Sequence, residues 1–236
     1  MTTDCERITL SLGKPLIMNT NKSFKYWIAQ EVEETFGVKR IRTSPLLERW
    51  LAREVDIPVS TLEAAEVLRT ELVESVDYWN EATLKFLFIG PLCALVRFNT
   101  DFATAFSEQP LILEEGDIKT RGNIDFMVAS GKQIAREPFY LLHEYKPENK
   151  AILDPKGQLL IAMVAAQRAN ENIGLTQPVY GSYVLGRFWF FVVLNGKEYS
   201  ISRAYDATQE DDFPIVFRSL HAVRLYIAEL FGEISQ

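Results

Sequence analysis

The sequence predicts an α/β domain with a mixed central β-sheet flanked by helices, preceded by an N-terminal helical extension. Up to about residue 96, apolar residues recur at three- and four-residue spacings, which indicates helices. Between residues 102 and 145 the pattern changes to apolar runs separated by turn residues, typical of an antiparallel meander. A buried helix, further strands and a last helix follow, and this order is typical of a layered α/β or α+β domain.

The first elements are predicted from their end signals. Residues 1–24 are mixed and polar, and we expect a loosely attached strand or arm there. Residues 25–36 are expected to form a short helix that ends at Gly37, a residue favoured just after a helix. Ser44 and Pro45 follow as an N-cap and a proline at the first helical position, so a second helix begins at that point.

Two longer helices are predicted next. Ser60 and Glu63 have the spacing of a capping box, which starts a third helix. One face of that helix is apolar: Leu62, Ala65, Leu68, Leu72 and Val76. Asn80 then caps a fourth helix, which Pro91 must bend or interrupt because proline removes a backbone donor and clashes with the preceding turn.

Strands dominate the second half of the chain. Residues 106–114, 118–129 and 139–145 are predicted strands joined by short turns. Asp154 and Pro155 then read as a cap and a first helical residue. The later predicted elements are a helix that is apolar on all sides over residues 159–166, strands over residues 179–185, 188–194 and 199–201, and a final helix near Pro214.

Composition bounds the class of protein. Hydrophobic residues make up 47% of the chain and charged residues 24%, as in ordinary globular proteins. No apolar run approaches the roughly 18–20 residues that cross a bilayer, and the N-terminus does not resemble a signal peptide. The small number of cysteines fits a reducing compartment, so a cytoplasmic location is expected. Cys5 and Cys93 are too few for a disulfide framework, and His143 and His221 lack cysteine partners for a zinc site.

The charge is unevenly distributed along the chain. The formal net charge is −7, which weighs against strong non-specific binding of nucleic acid. Residues 56–116 carry 3 Lys and Arg against 11 Asp and Glu. We therefore expect any DNA contact to avoid that segment and to use the N-terminal region and the part of the chain after residue 116.

Three ionisable residues lie where apolar strand residues would be expected. Asp125 interrupts one apolar run, and Glu144 and Lys146 end the next. Residues two apart share a face of a strand, so Glu144 and Lys146 point the same way. Buried charges need partners, and such departures from local rules often mark a functional site. Carboxylate oxygens suit Mg²⁺, and a lysine can position a water or stabilise developing negative charge during phosphodiester hydrolysis.

A structural interpretation of the same residues stays open. A buried ion pair between Asp125 or Glu144 and Lys146 would hold two strands together without catalysing anything. Gln158 lies one turn into its predicted helix, where a polar residue is common. Glu81 stands in a first helical turn, where an acidic side chain is favourable in itself.

The order of these residues resembles a known family. Asp125, then Glu144 and Lys146 in an acid-x-Lys triplet, then Gln158 on the next helix is similar to the PD-(D/E)XK nuclease superfamily, with a particular likeness to the N-terminal nuclease domain of type I restriction enzyme R subunits. Residues 80–92 also resemble that family's helix, whose glutamate adjoins the metal site, which makes Glu81 a candidate.

The resemblance is partial. It covers roughly residues 80–170, and Ile124 stands where the family motif has proline. No helicase or translocase motif is present, so the chain is not a whole R subunit.

The resemblance implies a restriction-endonuclease-like core over residues 80–236, with residues 1–79 as a helical extension packed on it. It implies Mg²⁺, for which Mn²⁺ would substitute, held by Asp125, Glu144 and Glu81. The catalytic residues it implies are Asp125, Glu144, Lys146 and Gln158.

The implied activity is DNA endonuclease or exonuclease cleavage, with a homodimer or a protein partner supplying DNA affinity. The alternatives are a catalytically silent nuclease-fold module that binds nucleic acid or protein, and a small-molecule phosphohydrolase.

Overall fold

A computed structural model of the protein describes residues 21–146 and 154–231. Most of the arm predicted over residues 1–24 lies outside these ranges. In the described part, an eight-stranded mixed sheet lies between two layers of helices. The strands are β1 (Lys39–Arg40), β2 (Thr104–Glu115), β3 (Ile118–Ser130), β4 (Arg136–Lys146), β5 (Val179–Leu185), β6 (Phe188–Asn195), β7 (Glu198–Ile201) and β8 (Tyr205–Asp206).

The predicted helices are present in the predicted order. Their bounds are α1 (Ala29–Phe36), α2 (Pro45–Ala52), α3 (Val59–Ser75), α4 (Glu81–Leu84), α5 (Gly90–Val96), α6 (Pro155–Asn172) and α7 (Phe213–Leu230). Within the described ranges, no helix has the length and apolar character that crossing a membrane requires.

The sheet order is β1-β7-β6-β5-β4-β3-β2, with β8 beside β6. Strands β2, β3 and β4 form the predicted antiparallel meander. Helix α6 then carries the chain across the sheet, so β5 pairs with β4 in parallel. The predicted α/β fold with a mixed central sheet and flanking helices is therefore confirmed. The sequence prediction missed β1 and β8 because two residues are too few to show a strand pattern.

Each face of the sheet has its own buried apolar cluster. One cluster joins α2, α3, α5 and α7 and includes Trp50, Phe88 and Trp189. The other joins α1 and α6 and includes Trp27 and Met127. Described residues before position 80 contribute to both clusters, and the boundary between residues 79 and 80 stays a prediction.

Helix starts were predicted with mixed success. Ser44 and Asn80 cap α2 and α4 by accepting from the backbone N–H groups of Leu47 and Thr83. The prediction of a capping box at Ser60 was wrong. Helix α3 begins at Val59, because the carbonyl of Pro58 already accepts the first helical hydrogen bonds and so places Ser60 inside the first turn.

Asp154 caps a different helix from the one predicted. Its side chain makes no cap bond to α6. Instead, its Oδ2 accepts from the backbone N–H of Ala29, 2.9 Å away, at the start of α1. The residue before α1 is Ile28, whose side chain has no polar atom that could cap the helix. Asp154, which is distant in sequence, caps α1 instead and so ties α1 to α6.

Pro91 interrupts its helix as predicted. Between α4 and α5, residues Lys85–Ile89 form a turn of π-helix, and the N–H of Gly90 donates to the carbonyl of Lys85, five residues back. A wider turn avoids the α-helical bond that Pro91 cannot donate. Such bulges are frequent at functional sites, and this one begins at Lys85.

Gly157 allows α1 and α6 to approach each other closely. A Cβ atom at this position would lie 2.4 Å from the carbonyl oxygen of Trp27 and 2.6 Å from the Cα of Ile28. Both neighbours are backbone atoms, which cannot rotate away as a flexible side chain can. The close approach sets the position of the first turn of α6, which carries Gln158.

We predict that Gly157→Ala destabilises the fold despite the higher helix propensity of alanine. Overpacking of a closed contact costs about 1–3 kcal/mol, and backbone neighbours favour the upper end of that range. Urea denaturation measures the change. Asn172→Ala, at the exposed end of the same helix, is the control and should stay within about 0.5 kcal/mol of wild type. Equal stability of Gly157→Ala and wild type would contradict the close packing.

Candidate functional site

An irregularity in β2 and β3 positions Asp125. Residues 104–115 pair continuously with residues 118–129, with Glu108 and Asp125 alone left out. Glu108 has φ 51°, a left-handed conformation that is strained for a residue other than glycine. In a regular strand, residues three apart point to opposite faces of the sheet. Ile124 and Met127 nevertheless belong to the same buried cluster, so the alternation of side chains along β3 shifts at Asp125.

Asp125 and Glu144 meet at the same end of the β3–β4 hairpin. Phe126 on β3 lies opposite His143 on β4. Because the strands are antiparallel, Asp125, which precedes Phe126, lies at the same end as Glu144, which follows His143. Both carboxylates face the ammonium of Lys146. Its Nζ lies 2.5 Å from Oε1 of Glu144 and 3.9 Å from Oδ2 of Asp125. The structure therefore brings together the three residues on which the sequence prediction depended.

Backbone groups hold this arrangement in place. The N–H of Tyr145 donates to Oδ2 of Asp125 at 2.8 Å. The ammonium of Lys146 donates to the carbonyl of Tyr145 at 2.9 Å. The side chain of Asp125 is thus fixed by the strand that carries Glu144, so the two carboxylates cannot separate without breaking the end of the hairpin.

A second lysine, which the sequence analysis missed, completes the cluster. Lys85 Nζ lies 2.8 Å from Oδ1 of Asp125, 2.8 Å from Oε1 of Glu81 and 3.5 Å from Oε1 of Glu108. Burial alone would lower the pKa of Lys85, but its hydrogen bonds to Asp125 and Glu81 outweigh burial and raise the pKa above its ordinary value. The four-residue spacing of Glu81 and Lys85 on a predicted helix was the available signal.

Glu81 reaches the centre of the cluster through Lys85. It stands in the first turn of α4, as predicted, and it forms an ion pair with Lys85. Two ammonium groups and four carboxylates thus form one connected network. The core of this network is Asp125, which contacts both lysines.

Glu144 is the most deeply buried acid of the network. Its side chain is nearly inaccessible, with 4% of the residue exposed. Burial raises the pKa of Glu144, the negative charge of Asp125 raises it further, and the ammonium of Lys146 opposes both, for a pKa of about 7. A carboxyl group with this pKa exchanges a proton near neutral pH.

Gln158 faces the same place from the first turn of α6. It is 8% exposed, and its Oε1 atom has no hydrogen-bond partner among the described residues. Together with Asp125, Glu144 and Lys146 it lines a cleft of about 970 Å³. An unpartnered buried amide oxygen is unfavourable, and a group bound in the cleft would satisfy it.

His143 has a packing role next to the charged cluster. It is fully buried on β4 directly before Glu144, contacts Ser182 through its Nδ1 atom and packs on Phe126. Burial lowers the pKa of His143 to about 3, so the ring is neutral. Cys93 is buried and forms no disulfide bond with a described residue, and burial raises the pKa of its thiol to about 12.

The donors suit a hard divalent cation, but the cluster is closed by its lysines. Mg²⁺ takes oxygen ligands from one or two protein carboxylates, and Asp125, Glu144 and the free oxygen of Gln158 are of that type. Among the described residues, no group of three or more His, Cys, Asp and Glu side chains is arranged to hold a metal ion. Lys85 and Lys146 stand between the carboxylates, so an ion would have to replace an ammonium contact at Asp125.

Comparison with protein-family models and with curated proteins finds no match to this chain. The geometry of the cleft and its charged cluster is therefore the basis for inferring a function.

We predict that Glu144→Gln gains stability relative to wild type as the pH rises from about 4.5 to 7. The pKa of Glu144 is raised from 4.5 to about 7 on folding. The stability this carboxyl group contributes is therefore complete below pH 4.5 and is lost as the pH rises through 7. Glutamine has no proton to lose, so the variant escapes this loss, which is at most about 1.4 kcal/mol per pH unit.

Urea denaturation at pH 5, 6, 7 and 8 measures the difference between the two proteins. Glu108→Gln removes a carboxylate that is 61% exposed at the edge of the same network and serves as the control. A difference between Glu144→Gln and wild type that does not change with pH would contradict the burial of an ionisable Glu144.

Proposed function

We propose that the protein is a metal-dependent phosphodiester hydrolase of the PD-(D/E)XK type that acts on DNA. One observation carries the proposal: the carboxylates of Asp125 and Glu144 and the ammonium of Lys146 meet on the wall of a cleft. A restriction-endonuclease-like core is part of the same proposal. It is supported by the placement of the acid on β3, the acid-x-Lys triplet on β4 and Gln158 in the first turn of α6.

Asp125 and Glu144 are the residues that would hold the ion. A divalent cation would supply Lewis-acid activation of water and would neutralise negative charge on the phosphate. Asp125 is preset for this role by the N–H of Tyr145, which fixes one of its oxygens. Lys85 would have to release the other oxygen, and Glu81 and Glu108 remain beside Lys85 to receive its charge.

Lys146 and Gln158 would act on the reacting groups. In the reaction a water oxygen bonds to phosphorus, one P–O ester bond breaks, and the leaving oxygen takes a proton. Lys146 donates hydrogen bonds from a position between both carboxylates, so it can orient the attacking water or stabilise charge on the phosphate oxygens. Gln158 can hold a water or a phosphate with its amide group, whose oxygen has no other described partner.

A catalytically silent module is the second candidate, and one observation favours it. Lys85 bonds Asp125 at 2.8 Å and neutralises the carboxylate that the ion requires. If Lys85 stays in place under all conditions, the cluster is a structural ion network and the cleft serves for binding alone. The two candidates differ in whether the protein binds a divalent cation and cuts DNA.

We predict that Lys146→Ala loses Mg²⁺- or Mn²⁺-dependent cleavage of DNA, by about 10²–10³-fold, while it still binds the cation. The ammonium contacts the reacting groups, whereas the carboxylates hold the ion. Cleavage of labelled linear and circular DNA measures the loss. Lys132→Ala, in the exposed turn between β3 and β4, is the matched control and should cut as wild type does. Undiminished cleavage by Lys146→Ala would place the activity elsewhere.

We predict that Asp125→Asn loses both cation binding and cleavage. The amide keeps the shape of the side chain but removes the charge that binds the ion. Titration calorimetry with Mn²⁺ measures binding without any substrate. Asp117→Asn, in the exposed turn between β2 and β3, is the control. Wild-type protein that neither binds Mn²⁺ nor cuts DNA would support the silent module instead.

A further inference from the structure

The cleft continues beyond the charged cluster as a basic surface. Among the residues that the structure describes, four cationic side chains line it in addition to Lys146, namely Lys22, Lys25, Lys119 and Arg121. The acidic residues in the described part of the lining are Asp125 and Glu144, and both contact Lys146. The chain has a net charge of −7, but the wall of this cleft is locally positive. Such a local field attracts a polyanion that the protein as a whole would repel.

Three of these cations are available to a ligand. Lys25 and Arg121 are exposed, and neither has an acidic partner among the described residues. Lys119 pairs with Glu114, but the two side chains are 71% and 59% exposed, and such surface pairs are weak and easily exchanged. Lys22 forms an ion pair with Glu31 at 2.5 Å, which holds the segment before α1 against that helix.

An aromatic ring lies among the cations. Tyr26 is 53% exposed, and the ammonium of Lys25 lies 4.8 Å from its ring centroid. The segment that carries it is anchored, because Phe24 packs on Gly122 of β3 and the indole N–H of Trp27 donates to Thr120. Tyr26 is therefore more than half exposed at a fixed position, with the ammonium of Lys25 over its ring.

We propose that this wall of the cleft, formed by Lys25, Tyr26, Lys119 and Arg121, binds a single strand of nucleic acid and leads it to the charged cluster. Cations along a groove hold the phosphate backbone, and an exposed ring provides a stacking surface for a base. The bases of a duplex are already paired and stacked, so Tyr26 contributes only to a strand with unpaired bases. The path to the cluster rests on the proposed function, whereas the binding itself does not.

Binding is tested without cleavage. Fluorescence anisotropy of a labelled single-stranded oligodeoxynucleotide, and of the same sequence as a duplex, is measured in EDTA at several salt concentrations. The double variant Lys25→Glu with Arg121→Glu should weaken single-strand binding at least tenfold. It should also make the slope of log binding constant against log salt concentration shallower by about 1.4, because each phosphate contact of a single strand contributes roughly 0.7 to that slope. Tyr26→Ala should weaken single-strand binding severalfold and leave duplex binding unchanged.

The matched control is Lys132→Glu with Lys197→Glu, which makes the same change of charge at exposed positions that do not line the cleft. It should stay within twofold of wild type, and thermal melting shows that all variants are folded. Equal weakening in both double variants, or none in either, overturns the proposal. Duplex binding that is as tight as single-strand binding and equally sensitive to Tyr26→Ala overturns the assignment to a single strand. A protein that binds but does not cut leaves the surface assigned and rejects the hydrolase alone.

Discussion

The contact of Asp125 with two ammonium groups is the interaction on which the site depends. Removing a carboxylate from water is unfavourable unless charged and hydrogen-bonding partners replace the solvent. Lys85 approaches Asp125 from the π-helical turn after α4, Lys146 approaches it from β4, and the N–H of Tyr145 completes its shell. Glu144 can be buried beside Asp125 because Lys146 is shared between them. Loss of either lysine would leave Asp125 with a single ammonium contact.

The fold supports this contact from both sides of the sheet. The irregularity at Glu108 and Asp125 brings the Asp125 carboxylate to the end of the hairpin. The π turn that Pro91 imposes begins at Lys85, whose ammonium reaches Asp125. On the other side, Asp154 ties the start of α1 to the start of α6. This contact helps to fix the first turn of α6, which carries Gln158 at the cleft. Local departures from regular structure thus converge on one cluster.

The sequence predicted the meander, the buried helix and the central acids because each leaves a periodic or compositional signal. The alternation of β4 places Glu144 and Lys146 on one side, and their meeting with Asp125 follows from the hairpin. Lys85 was missed because an exposed-looking lysine on a helix is ordinary, and its role depends on a contact 40 residues away in sequence. The cap supplied by Asp154 to α1 and the strain at Glu108 are likewise tertiary effects, which no local pattern records.

Under the proposed function, a divalent cation and Lys85 would compete for the carboxylate of Asp125. With Lys85 on Asp125, the carboxylates are already neutralised, so an ion gains only the difference between its own coordination and the contacts it replaces. Mg²⁺ completes its shell with substrate phosphate oxygens in many phosphoryl-transfer sites. A phosphate beside Asp125 would add ligands for the ion and a new anionic partner for the released Lys85. Cation and nucleic acid are then expected to bind with positive coupling, and each raises the affinity of the protein for the other.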